Sequence, residues 1–132
     1  MPVFPNIKAA FIHIPKTGGT SIVNQGFRKN IYWGRFDRNY EPDQHTIFTE
    51  LPLNIRQSYD WFMVVRNPYD RIVSEYFCVH SDKQNNKLKF KTHLSKEMIN
   101  MYLIDQIKKY SKLFENGHWM PQYKYLDFST KI

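Results

Sequence analysis

The sequence predicts an α/β fold in which a small central parallel sheet is flanked by helices. Two short, uninterrupted apolar runs, Ala9 to Ile14 and Trp61 to Val65, have the length and content of buried strands. Each is followed at once by helix-start chemistry: a glycine pair with hydroxyl residues after the first, and Asn67-Pro68 after the second. Enough chain separates the two runs for a connecting helix, which is what parallel strands require.

The elements follow in order. AAFIHI is ended by Pro15, and the loop Pro15 to Gly19 leads into a helix that Thr20 and Ser21 can cap, with Ile22, Val23 and Phe27 on one side. The stretch from Asn30 to Asp43 is aromatic and charged without a stable period and reads as irregular or as a short strand. His45 to Leu53 is rich in β-branched and apolar residues and predicts a short strand closed near Pro52. WFMVV is the second buried strand. Asn67 caps the next helix and Pro68 takes its first position, where a missing N–H costs nothing. Tyr69, Ile72, Val73, Tyr76 and Phe77 recur at the spacing of a buried helical stripe. His80 to Lys91 is polar and basic and reads as a surface loop. Ser95 caps a longer helix to about Glu115, with Ile99, Leu103, Ile107, Tyr110 and Phe114 on its apolar face and Asn116-Gly117 at its end. His118 to Gln122 is a turn, and Tyr123 to Phe128 a last strand.

The 132 residues carry 19 basic and 12 acidic side chains, for a net charge of +7. With no internal repeat or linker, 1–132 is expected to be one domain. No run of about 18 apolar residues is present to span a bilayer, and the N-terminal stretch is too broken by proline for a signal peptide. A soluble chain is expected. Cys78 is the only cysteine, which excludes an internal disulfide and a cysteine-rich metal site; a buried thiol is the reading of IVSEYFCV. The positive charge favours an anionic partner. Nucleic acid is not expected, because the lysines are not interleaved with a recognition module.

The strongest chemical signal is His13-Ile-Pro-Lys-Thr-Gly-Gly-Thr-Ser21. Gly18 and Gly19 let backbone N–H groups approach an anion, the helix start adds its positive end, Lys16 adds a full charge, and Thr17, Thr20 and Ser21 add hydroxyls. The order is not that of a Walker A loop, since Lys16 precedes the glycines. A glycine pair alone fits a tight strand-to-helix turn equally well; the lysine and three hydroxyls favour anion binding.

FIHIPKTGGTS resembles the 5′-phosphosulfate loop of sulfotransferases that use 3′-phosphoadenosine 5′-phosphosulfate (PAPS), especially the carbohydrate branch containing heparan sulfate 2-O-sulfotransferases. VVRNPYDRIVSEYF resembles the same family's 3′-phosphate pattern, with Asn67 where aspartate is commoner, and HWMPQ is similar to its downstream H-x-x-P-Q segment. The resemblance covers roughly residues 8 to 28, 43 to 80 and 116 to 128. It implies a three-layer fold like that of P-loop kinases, with Pro15, Lys16, Thr17, Gly18, Gly19, Thr20 and Ser21 around the 5′ group. Arg66 and Ser74 are then on the 3′-phosphate, where Arg66 offers a planar fork and Ser74 a hydroxyl. The further strand and helices usual in the family do not follow here, so a minimal or C-terminally shortened member is expected. Its location would be the cytoplasm for a microbial or viral chain and the Golgi lumen for a trimmed animal enzyme.

The implied reaction moves a sulfuryl group from PAPS, leaving adenosine 3′,5′-bisphosphate (PAP), to a hydroxylated acceptor such as an anionic glycan, without a metal. Lys16 would steady the bridging oxygen, and a base must take the acceptor's proton. In the 2-O-sulfotransferase branch a histidine between the two phosphate motifs does this, which here is His45; Glu50 is the second candidate and Asp43 the third. His13, inside an apolar strand, reads as a packed histidine. His80, His93 and His118 lack metal-ligand spacing. Lys83, Lys87, Lys89 and Lys91 form either a solvated loop or a landing surface for an acidic acceptor. The alternatives are a kinase-like phosphotransferase, which needs a magnesium-binding carboxylate where Arg66 stands, and a non-catalytic donor- or polyanion-binding remnant.

Overall fold

A computed structural model describes residues 2–4, 7–31, 34–35, 45–78, 95–110 and 118–126. The expected Lys83–Lys91 loop, Asp43, His80, His93, Phe114 and the Asn116-Gly117 stop lie outside them. The chain divides into two compact units, residues 1–65 with 121–132, and 66–120.

The first unit is built on a four-stranded mixed sheet. Its strands are β1 (Pro2–Phe4), β2 (Ala9–Ile12), β3 (Gly34–Arg35) and β4 (Asp60–Met63), in the order β3-β1-β2-β4. β2 and β4 are parallel, with Ala9 opposite Asp60 and Ile12 opposite Met63, as the two apolar runs predicted. β1 pairs antiparallel with both β2 and β3, so the sheet is mixed where an all-parallel one was expected. β1 gave no readable period because only Val3 and Phe4 stand between Pro2 and Pro5. β2 and the residues just after it carry the core, with Ala10, Phe11 and Ile12 of the strand and Ile14 beyond it buried. β4 is shorter than the run WFMVV: Phe62, Val64 and Val65 are exposed, so that run is only half-buried.

Between the parallel strands lie helices α1 (Gly19–Arg28) and α2 (Leu53–Ser58). In α1 the side against the rest of the unit is lined by Gly19 and Gly26, and Phe27 is exposed; the expected Ile22-Val23-Phe27 face is only partly covered. The strand expected over His45 to Leu53 is instead a 3-10 turn, Phe48–Glu50, followed by α2. Phe48 and Leu51 do go inside, Phe48 meeting Trp61 edge to face at 5.2 Å while the Trp61 indole N–H donates to the Arg56 carbonyl at 2.9 Å. Burial of two side chains three apart suits a tight helical turn better than an alternating strand. Residues Gln122–Tyr125 are also a 3-10 turn, with Tyr125 buried, so that part of the expected last strand is not one.

The second unit holds α3 (Pro68–Tyr76) and α4 (Lys96–Tyr110). Asn67 caps α3 as predicted, its side-chain oxygen accepting from the Tyr69 N–H at 2.9 Å, with Pro68 in the first turn. The expected apolar stripe of α3 is only partly buried: Tyr76 is inside and Ile72 half-buried, but Tyr69, Val73 and Phe77 are exposed, and Arg71 and Glu75 are buried beside Tyr76. Tyr76 packs edge-on against Tyr102 of α4 at 5.3 Å, and burial pushes its hydroxyl pKa up. α4 starts at the predicted cap, where the Ser95 hydroxyl accepts from the Met98 N–H at 3.3 Å. Of the described residues of α4, Gln106 is buried, Ile99 and Leu103 of the expected apolar face are half-buried, and Ile107 is exposed.

Candidate active site

The turn between β2 and α1 is built to leave a helix end open. Thr17 is buried, and its hydroxyl donates to the Ile14 carbonyl at 2.9 Å, folding the loop back on the strand end. Lys16 takes a left-handed backbone at φ 66°, unusual for a residue with a side chain, and Gly18 follows at φ 98°. Gly18 is the N-cap of α1, in place of the expected Thr20 or Ser21, which sit exposed in the first turn. Its carbonyl accepts from the N–H groups of Ser21 at 2.9 Å and Ile22 at 3.3 Å, so the N–H groups of Gly19 and Thr20 precede the first helical hydrogen bond. Gly18 has no side chain to cap this end, the first turn has no acidic residue, and the space beside Gly18 is open among the described residues. A glycine-capped helix start with a lysine two residues before its N-cap favours an anion.

Gly19 is required for a different reason. A β-carbon there would collide with the His13 imidazole. His13 is buried and stacked on Phe11 at 5.5 Å, as its strand position predicted, so its ring forms the floor under the first turn of α1. Gly19→Ala is expected to destabilise the chain by about 1–3 kcal/mol, read as a lower urea midpoint; an unchanged midpoint would show that the ring can move away.

His45 is brought to the same place. Its ring stands edge-on to His13, 4.7 Å between centroids, and its Nδ1 lies 2.8 Å from the His13 carbonyl oxygen. A carbonyl only accepts, so Nδ1 carries the proton and donates, and in the neutral ring Nε2 keeps the lone pair. Glu50 is exposed, and its carboxylate accepts from the Ile47 N–H at 3.4 Å, closing the 3-10 turn. A local capping role accounts for its placement.

In the second unit, Arg66 is exposed in the extended stretch just before the Asn67 cap, and Ser74 is half-buried two turns into α3. Arg71 donates to the carbonyls of Met120 at 2.8 Å and His118 at 3.0 Å, and the His118 Nδ1–H donates to Glu75 Oε2 at 2.7 Å. Periodicity missed this cluster, since its partners lie more than 40 residues apart. Glu75, Cys78 and His118 place one potential metal-ligand atom each within 4.8 Å of one another, a proximity that sequence spacing did not reveal. The buried Cys78 thiol agrees with the sequence reading. No helix among the described residues is long and apolar enough to cross a membrane.

No curated protein and no solved structure gives a significant match to the chain. A family model described as "Sulfotransferase family" does match, over residues 1–130. That span takes in the glycine loop, the Arg66 region and the His118 turn alike, and the chain belongs to the sulfotransferase family.

Proposed function

We propose that the protein transfers a sulfuryl group from PAPS to a hydroxyl of a carbohydrate acceptor, as a member of the carbohydrate branch on a P-loop-kinase-like fold. The observation that carries this reading is the position of His45. A proton acceptor is tied through His13 to the strand end that runs directly into Lys16 and the glycine-capped start of α1.

The groups present suit the donor. The open space beside Gly18, the leading N–H groups of α1 and Lys16 match a 5′-phosphosulfate in charge. Arg66 and Ser74 are assigned to the 3′-phosphate. In the reaction the acceptor oxygen bonds to sulfur as the bond from sulfur to the 5′-phosphate oxygen breaks. The acceptor proton passes to His45 Nε2, Lys16 neutralises the charge left on the phosphate, and PAP departs. Positioning and charge neutralisation supply the catalysis, as in phosphoryl transfer, and no metal is assigned a part.

Calorimetric titration of the full chain tests the donor. PAP is expected to bind far more tightly than adenosine 5′-monophosphate or ATP with magnesium. Arg66→Ala is expected to weaken PAP by roughly 10–100-fold, the range for losing a charge-assisted hydrogen bond, with little effect on the monophosphate. Equal losses on both nucleotides would remove Arg66 from the 3′-phosphate, and a preference for ATP with magnesium would turn the reading to a phosphotransferase.

A further inference from the structure

We infer that the His118–Met120 turn is a positioning device for the 3′-phosphate site, acting through Arg71 and Glu75 to set the rotation of α3 about its own axis. The inference rests on the reading that Arg66 and Ser74 hold that phosphate.

Helix α3 buries two charged side chains beside Tyr76 while part of its apolar stripe stays outside. In an ordinary surface helix the apolar stripe faces inward, yet here Tyr69 is 79% exposed and Val73 48%, while Arg71 is 6% and Glu75 1% exposed. Burying an arginine and a glutamate is unfavourable unless each is paired and hydrogen-bonded. The turn supplies those partners: two carbonyls for the Arg71 guanidinium, from Met120 and His118, and the His118 ring for Glu75. Arg71 and Glu75 are one helical turn apart, so they engage one short segment from one face.

Ser74 lies between Val73, which points out, and Glu75, which points in, and is half-buried. At about 100° of rotation per residue, turning α3 to bury Tyr69 and Val73 would sweep the Ser74 hydroxyl round with them. The hydrogen bonds to residues 118 and 120 oppose that rotation, and so hold Ser74 in one direction relative to Arg66 at the helix start. The H-x-x-P-Q resemblance thereby acquires a physical role: its histidine and the carbonyls of the following turn select the donor's 3′-phosphate at one remove. Arg71, Glu75 and His118 are positioning residues, and none need touch the nucleotide.

The test is the ratio of affinities for PAP and adenosine 5′-monophosphate, measured by calorimetry on the full chain and its variants. Glu75→Ala and His118→Ala are expected to lower that ratio by about tenfold, the value of one buried hydrogen bond to a charged group. Glu75→Gln, whose amide oxygen still accepts from the His118 Nδ1–H, is expected to restore it. A merely structural role would weaken both nucleotides alike and leave the ratio unchanged, and that result in both variants overturns the inference. Where Glu75→Ala fails to fold, His118→Ala decides, because its side chain is 27% exposed and leaves no large void. A wild-type chain with no preference for PAP would instead overturn the donor reading, and the inference with it.

Discussion

His45→Ala is expected to lower kcat by about 10²–10⁴-fold, the usual contribution of a positioned general base, while PAP affinity stays within about twofold of wild type. The basis is the tautomer. The His13 carbonyl takes the Nδ1–H at 2.8 Å, which directs the neutral ring's lone pair to Nε2. A structural histidine would behave differently, and His45→Gln separates the two cases. Glutamine can donate to the His13 carbonyl but cannot take a proton at neutral pH, so it should be as inactive as alanine. Transfer from sulfur-labelled PAPS to a panel of hydroxylated acceptors gives the rate. Activity retained in His45→Gln would mean that position, and not proton transfer, is what His45 provides, and Glu50 would then be the next residue to replace.

Lys16→Ala is expected to lower kcat by about 10²–10³-fold, as for loss of one group that neutralises charge developing in the transition state. The fold should survive. Lys16 is held at φ 66°, a conformation that costs an ordinary residue of the order of 1 kcal/mol or more, so the loop maintains this residue against its own preference. Lys16→Gly is the useful companion, because glycine adopts that backbone freely. Its thermal midpoint should be no lower than that of Lys16→Ala, with the same loss of kcat. Near-normal turnover in both would assign the strained turn to folding alone and leave the helix start without its cation.

Where the determinants are local, the structure follows the sequence closely. The apolar runs that form β2 and β4, the strand–glycine loop–helix order and the Asn67-Pro68 start of α3 all depend on neighbours within a few residues. The differences arise where a distant group decides. Periodicity assigned Tyr69 and Val73 to the core of α3, and the helix instead buries Arg71 and Glu75, which hydrogen-bond to residues 118 and 120. β-Propensity assigned His45 to Leu53 to a strand, and a 3-10 turn closed by Glu50 formed instead. The same holds for the site. The strand–glycine loop–helix geometry around Lys16 was legible in the local sequence, whereas the contact of His45 with the His13 carbonyl spans 32 residues and has no signature in spacing.

The sheet order has a consequence for how the chain assembles as it is made. β1 and β2 can zip together as soon as residue 12 is available, since Phe4 pairs with Ala9. The other edge of β2 waits for β4, whose Asp60 pairs with Ala9, and that closure spans a far longer stretch of chain and carries a larger entropic cost. Lys16, Gly18 and Gly19 therefore precede β4 in the chain by some 40 residues or more, yet the strand that leads into them gains its second neighbour only after residues 60–63 arrive. The glycine loop comes before β4 in sequence, and the strand behind it is completed only with β4.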